Sequence, residues 1–186
     1  MKVLKYVLAF IGILLLFFFG KGLLTPSVYY ECEIEVNKSA KEAWAVMSDE
    51  EYLPQWIEGF QKAELVSGKE NTVGAVSNVY IDQDGQKSVM KETISNIKLH
   101  ELMAMDFTMD FMNMEYQMTF VENAGKTTIK TTSKTIGNGL LAKSMISFMP
   151  SAMQAQEEKN LGSLKKLIDN NTKDYFPEPT INLEES

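Results

Sequence analysis

Between Val28 and Ile136 apolar side chains return at every second position, and between Leu140 and Asn170 they return at every third or fourth. A run of alternating segments closed by one helical segment admits few folds. The opening VYYECEIEV sets Val28, Tyr30, Cys32, Ile34 and Val36 on one face and Glu31, Glu33 and Glu35 on the other, the signature of a half-buried strand. Ser39 with Glu42 three residues on has capping-box spacing and predicts a short helix through Met47. Ser48-Asp49 starts a second through Leu53, limited by Pro54. Strands are predicted over Phe60–Val66, Val73–Ile81, Gln86–Ile97, Leu99–Met109, Phe111–Val121 and Thr127–Ile136, with Asp82-Gln83-Asp84-Gly85 as a hairpin turn. The last segment places Leu141, Met145, Phe148, Ala152, Leu161, Leu164 and Ile168 on one helical stripe, kinked or split at Pro150. Two short helices cannot cover an antiparallel sheet of about seven strands. The long helix must therefore lie across its concave side, and the expected fold is α+β, a curved sheet wrapped around a C-terminal helix. A space between sheet and helix is where a ligand would sit.

The first 24 residues stand apart from this pattern. Tyr6 to Gly20 carries no charge, with Lys2 and Lys5 before it and Lys21 behind. Val3 to Leu24 is long enough to cross a bilayer once the lysines reach the interface. A cleaved signal peptide is the alternative, but Gly20-Lys21-Gly22 is a poor cleavage site, and Cys32 follows no lipobox. The expected division is a transmembrane anchor or signal peptide over 1–24, a domain over 25–171, and an acidic disordered tail over 172–186. The lysine bias favours a cytoplasmic N-terminus and an extracytoplasmic domain.

Charge excludes some partners. The chain has 18 lysines, no arginine and 25 acids; without Lys2, Lys5 and Lys21, 15 lysines face 25 acids. Such a surface repels phosphate backbones, and no guanidinium is present to grip phosphate or guanine, so nucleic acid is not an expected partner. Cys32 is the sole cysteine, which removes disulfides and cysteine-based zinc sites and reads as a small buried residue.

The element order, the opening VYYECEIEVNKSAKEAWAVMSDEEYLPQWIEG and the last segment GLLAKSMISFMPSAMQAQEEKNLGSLKKLIDN resemble the START-like, helix-grip superfamily, in particular its polyketide cyclase/dehydrase and lipid-transport group. The resemblance covers about Val28 to Asn170. It implies a pocket between sheet and helix, and it leaves the chemistry open because the family spans carriers, receptors and ring-closing enzymes.

The run MAMDFTMDFMNMEYQMTF, Met103 to Phe120, holds six methionines in eighteen residues. Parity puts Met103, Met105 and Phe107 on one strand face and Met112, Met114, Tyr116, Met118 and Phe120 on the facing side of the next. Met145, Phe148 and Met149 are expected to answer from the helix. Adaptable thioethers suit either an ordinary core or the wall of a cavity for varied apolar partners, and the resemblance favours the cavity. Met90, Ile129, Thr131 and Ser133 complete the expected ligand-binding set, with Thr135 on the same face. Glu92, beside Met90 and Ile94, and Tyr116 are weak candidates for proton transfer. Met-x-Met pairs also suit Cu(I), but a tight site adds His or Cys, and parity places His100 on the opposite face, so no metal is assigned. The same placement leaves His100 a solvated surface residue, and Trp44 and Trp56 read as packing residues. No cofactor is expected. The expected function is a membrane-tethered binding protein for a lipid or other hydrophobic small molecule. A cyclase or dehydratase using the same pocket is one alternative, an envelope interaction module without ligand the other.

Overall fold

In a computed structural model describing residues 2–177, the alternation becomes one sheet. Helix α1 (Lys2–Leu24) leads through Thr25 and Pro26 into β1 (Ser27–Val36). Helices α2 (Ala40–Met47) and α3 (Leu53–Trp56) follow, then β2 (Phe60–Ser67), β3 (Val76–Gln83), β4 (Gln86–Lys98), β5 (Leu102–Thr108), β6 (Met112–Asn123) and β7 (Lys126–Gly137). Helices α4 (Gly139–Ile146) and α5 (Pro150–Asn170) close the order. The seven strands run β1-β7-β6-β5-β4-β3-β2, antiparallel throughout, so α2 and α3 carry the chain from one sheet edge to the other. The curved sheet around a long C-terminal helix is the architecture expected from the period.

Local chemistry fixes the turns. Asp84 and Gly85 (φ 52° and 84°) and Ala124 and Gly125 (φ 51° and 77°) form the two-residue, double left-handed connections that match strand twist. Ser39 accepts from the Glu42 N–H at 3.2 Å while the Glu42 carboxylate accepts from the Ser39 N–H at 3.3 Å, closing the capping box. On the convex face Lys130 pairs with Glu31 at 2.7 Å and Lys126 with Glu35 at 2.7 Å, exposed cross-strand pairs that contribute little stability each.

Four sequence expectations change. Pro54 sits in the first turn of α3 instead of limiting the preceding helix, because its missing N–H is harmless there. Leu99, His100 and Glu101 form the β4–β5 turn, not the start of a strand. His100 is left-handed (φ 64°), half-buried, and edge-on to Trp44 at 6.2 Å between ring centres. The split expected at Pro150 is present: the C-terminal segment is two helices, with Pro150 opening the second. The residues after Asn171 are not all loose: Lys173 pairs with Asp49 at 2.7 Å, the Tyr175 hydroxyl donates to Asp49 at 2.6 Å, and Lys41 lies over the Phe176 ring. The rest of the expected tail, 178–186, lies outside the described residues.

Two glycines hold α4 in place. A Cβ on Gly137 would lie 2.4 Å from the Lys143 nitrogen, and one on Gly22 of α1 would lie 2.4 Å from Ser144 Oγ and 2.6 Å from its Cα. Helix α4 is thus pressed against the end of β7 on one side and the end of α1 on another. Both approaches require the missing side chain.

Candidate functional site

Cross-strand register lays the concave face out in transverse rows. Farthest from α1, Ile34, Ile129 and Phe120 stand abreast, then Cys32, Thr131, Met118 and Met103. Next come Tyr30, Ser133, Tyr116, Met105 and Ile94. Nearest α1 are Val28, Thr135, Met114, Phe107, Glu92 and Ser77. Helix α5 crosses these rows with two unlike halves. Leu161, Leu164 and Ile168 are at most 1% exposed and pack with Trp44, Val36, Phe120 and Ile129 into a closed core. Pro150 to Asn160 holds no buried residue. Under that half, Tyr30, Met105, Met114, Tyr116 and Glu92 keep partial access to solvent. Among the strands, the backbone of α5 lies closest along β1.

Polar groups gather at the junction of the two halves. The Tyr116 hydroxyl donates to Glu157 Oε1 at 2.8 Å. Burial pushes both groups up: the phenol far above its ordinary value, with the Glu157 charge adding to the effect, and the carboxyl of Glu157 against the opposing pull of its hydrogen bonds. Around the pair, Thr131, Ser133 and Thr135 present a column of hydroxyls, each at most 1% exposed. Thr131 lies close enough to Glu157, and Ser133 to Tyr30, to influence their ionisation. Yet among the described residues none of the three hydroxyl oxygens has a partner in hydrogen-bonding geometry. Glu92, one row closer to α1, is a second acid raised by burial alone. Cys32 points its thiol at the Gln154 carbonyl at 3.9 Å, and burial pushes it up to about 11, far from nucleophilic use at neutral pH.

Met90, Met103, Met105, Phe107, Met112, Met114, Tyr116, Met118, Phe120, Ile129, Thr131 and Ser133 share the concave face, as parity placed them. They divide between its two regions. Met118, Phe120 and Ile129 belong to the closed core; Met105, Met112, Met114 and Tyr116 are half-buried. Met145, Phe148 and Met149 do not face the sheet. They are 43–46% exposed, and Phe148 stacks on Phe18 of α1 at 5.7 Å and meets Phe17 at 6.1 Å. The break at Pro150 is the reason: the apolar stripe before it turns to α1, and the stripe after it turns to the sheet. Glu157 was not anticipated. It lies four residues before Leu161 and seven before Leu164, on the buried stripe itself, and an acid where the stripe calls for a hydrophobe was its signal.

Two surface recesses lie elsewhere. One of about 240 Å3 is bounded by Lys38, Glu42 and Asn171 to Phe176; the other, about 360 Å3, runs along α1 from Leu16 to Thr25. The concave face beside α5 carries flexible, half-buried side chains with a few polar groups among them. Its chemistry suits an apolar body carrying one polar end, or proton exchange at a buried carboxyl.

A family model described as polyketide cyclase/dehydrase and lipid transport matches residues 28–169. Solved structures share the fold at low identity. A protein from Chromobacterium violaceum aligns with a TM-score of 0.63 at 12% identity, over 77% of this chain and 98% of its own. A START superfamily protein from Mycobacterium smegmatis aligns at 0.59 and 15%, over 75% and 98%. The Zhui aromatase/cyclase from a Streptomyces species aligns at 0.59 and 14%, over 76% and 96%. No curated protein matches the chain in sequence.

Proposed function

The chain belongs to the polyketide cyclase/dehydrase and lipid transport family, and from that premise we propose that it is a membrane-tethered binding protein for a lipid or similar apolar small molecule. The observation that carries the reading is the Tyr116–Glu157 pair, with the buried hydroxyls of Thr131, Ser133 and Thr135 beside it, set among half-buried methionines. The apolar part of the ligand lies against Met105, Met114 and Phe107, and its polar end reaches the hydroxyls. Burial there supplies affinity at about 25 cal/mol per Å2, before the costs of ordering the ligand and the side chains. Flexible methionines let the wall repack, so the site favours a class of molecules over a single compound. Helix α1, 23 residues and about 34 Å long, supplies the tether, with the N-terminus cytoplasmic and the domain outside.

The test is mass spectrometry of small molecules extracted from the full chain purified in nanodiscs. An apolar compound with one polar group, retained in stoichiometric amount and lost on Thr131→Val with Ser133→Ala, supports the reading. A wild-type chain that retains nothing beyond the nanodisc lipid, at the level of an unrelated membrane protein, rejects it.

A second reading, catalysis of a cyclase or dehydratase kind, is favoured by Glu92. A carboxyl raised by burial alone stays protonated further up the pH scale and can act as an acid or base there. Turnover of a bound compound that vanishes in Glu92→Gln while retention persists would establish it over simple carriage.

A further inference from the structure

Helix α4 and the turn after it carry an apolar surface that the domain does not cover. Leu141, Met145 and Phe148 repeat at helical spacing, with Met149 beside them, and they are 43–58% exposed. The helical curl continues past α4, since the Phe148 N–H donates to the Met145 carbonyl at 3.1 Å and the Met149 N–H to that of Ile146 at 2.9 Å. The stripe is not free to choose its surroundings. Gly22 seats α1 on Ser144, Phe17 and Phe18 pack on Phe148, and the Lys21 ammonium lies 3.9 Å from the Phe148 ring centre. Phe17 and Phe18 belong to the uncharged run of α1 and are within reach of the same medium as the rest of that run.

We infer that α4 and the Phe148–Met149 turn form a second membrane element, lying in the outer edge of the leaflet that α1 enters. This inference rests on the tether reading of α1. A helix with one apolar stripe beside a spanning helix settles at the depth where its polar face stays wet. Lys21 and Lys143 then reach the headgroup level, as long cationic side chains do. The occupant of the stripe is lipid and not protein, because the stripe is continuous with α1 through the Phe17, Phe18 and Phe148 rings.

The consequence reaches the concavity. The α1-proximal row is the one that ends at Val28, two residues into β1, and its neighbours on β7 run up to Gly137, against which α4 is pressed. Embedding α4 turns the half-buried end of the concave face, with Met112, Met114 and Glu92, toward the lipid, and the closed core around Leu164 away from it. A ligand then enters from the leaflet, without crossing water.

Depth-resolved quenching of the full chain tests this in phosphatidylcholine nanodiscs containing doxyl-labelled lipid. In a Cys32→Ala background, an environment-sensitive fluorophore is placed by Leu141→Cys and by Met145→Cys. Leu14→Cys in α1 and Glu33→Cys on the convex sheet face serve as lipid and water references. Leu141 is the most exposed of the stripe, so its label leaves the Phe148 packing intact. The expected result is blue-shifted emission at both α4 positions, strong quenching by shallow doxyl lipid and weak quenching by aqueous iodide. Lipid quenching at Leu14 with iodide quenching at both α4 positions overturns the inference and leaves the tether standing. Absence of lipid quenching at Leu14 overturns both. Protection of the α4 labels from both quenchers, with cross-linking between chains, overturns it in favour of a second copy covering the stripe.

Discussion

The two halves of α5 rest on the same sheet and do opposite things. The half from Leu161 onward presses Leu161, Leu164 and Ile168 into Trp44, Phe120 and Ile129 and leaves no access. The half before it offers Glu157 to Tyr116 and stands over methionines that solvent still touches. A helix that buried one uniform stripe would be a strut. Placing an acid on that stripe divides it into a foundation and a candidate site, so stability and the proposed binding can be tested separately on one helix.

Breaking the foundation has the largest effect. Leu164→Ala removes a fully buried side chain and lowers stability by roughly 3 kcal/mol, about 6–12 °C in Tm for a chain of this size. Thermal unfolding of the full chain in detergent measures it, and a loss under 1 kcal/mol would mean that the two halves are not distinct. At the junction, Tyr116→Phe takes the 2.8 Å donor from Glu157 and costs about 1 kcal/mol, together with reduced ligand retention. Among the half-buried methionines, Met114→Ala costs about 1 kcal/mol or less, because the side chain is less fully packed than Leu164, yet it weakens retention more than Leu164→Ala does. If retention follows stability across these three variants, the division has no functional meaning.

The smallest effect sharpens the comparison by pH. Burial raises Glu92 in the folded state, so folding favours the neutral acid. That contribution is fully present below the ordinary glutamate range and is lost as pH rises through the folded-state value. Glu92→Gln is therefore slightly more stable than wild type at neutral pH and equal to it at low pH. Paired melts at the two pH values check the sign, and an equal difference at both would show that Glu92 is not desolvated.

Most of the sheet was legible because alternation is local: Glu31, Glu33 and Glu35 on one face fix Tyr30 and Cys32 on the other, and Asp84-Gly85 can make one kind of turn. Helix-grip architecture followed from counting the surfaces left to cover. The site was less legible for two physical reasons. Helical spacing identifies a stripe but not its neighbour, so Met145, Phe148 and Met149 are expected at the sheet, whereas all three lie exposed and Phe148 meets α1. Glu157 was passed over because the stripe was traced through apolar residues alone, although an acid at a buried position is the more informative letter.

Only Thr25 and Pro26 separate α1 from β1, and Gly22 fastens the junction to α4. With α1 in a bilayer, this is a domain without a leash. It can diffuse sideways and turn about its anchor, but it cannot swing out to meet a second membrane. Under the proposed function, a ligand it held would be handed to something that comes to it, and exchange would be a matter of encounters in two dimensions.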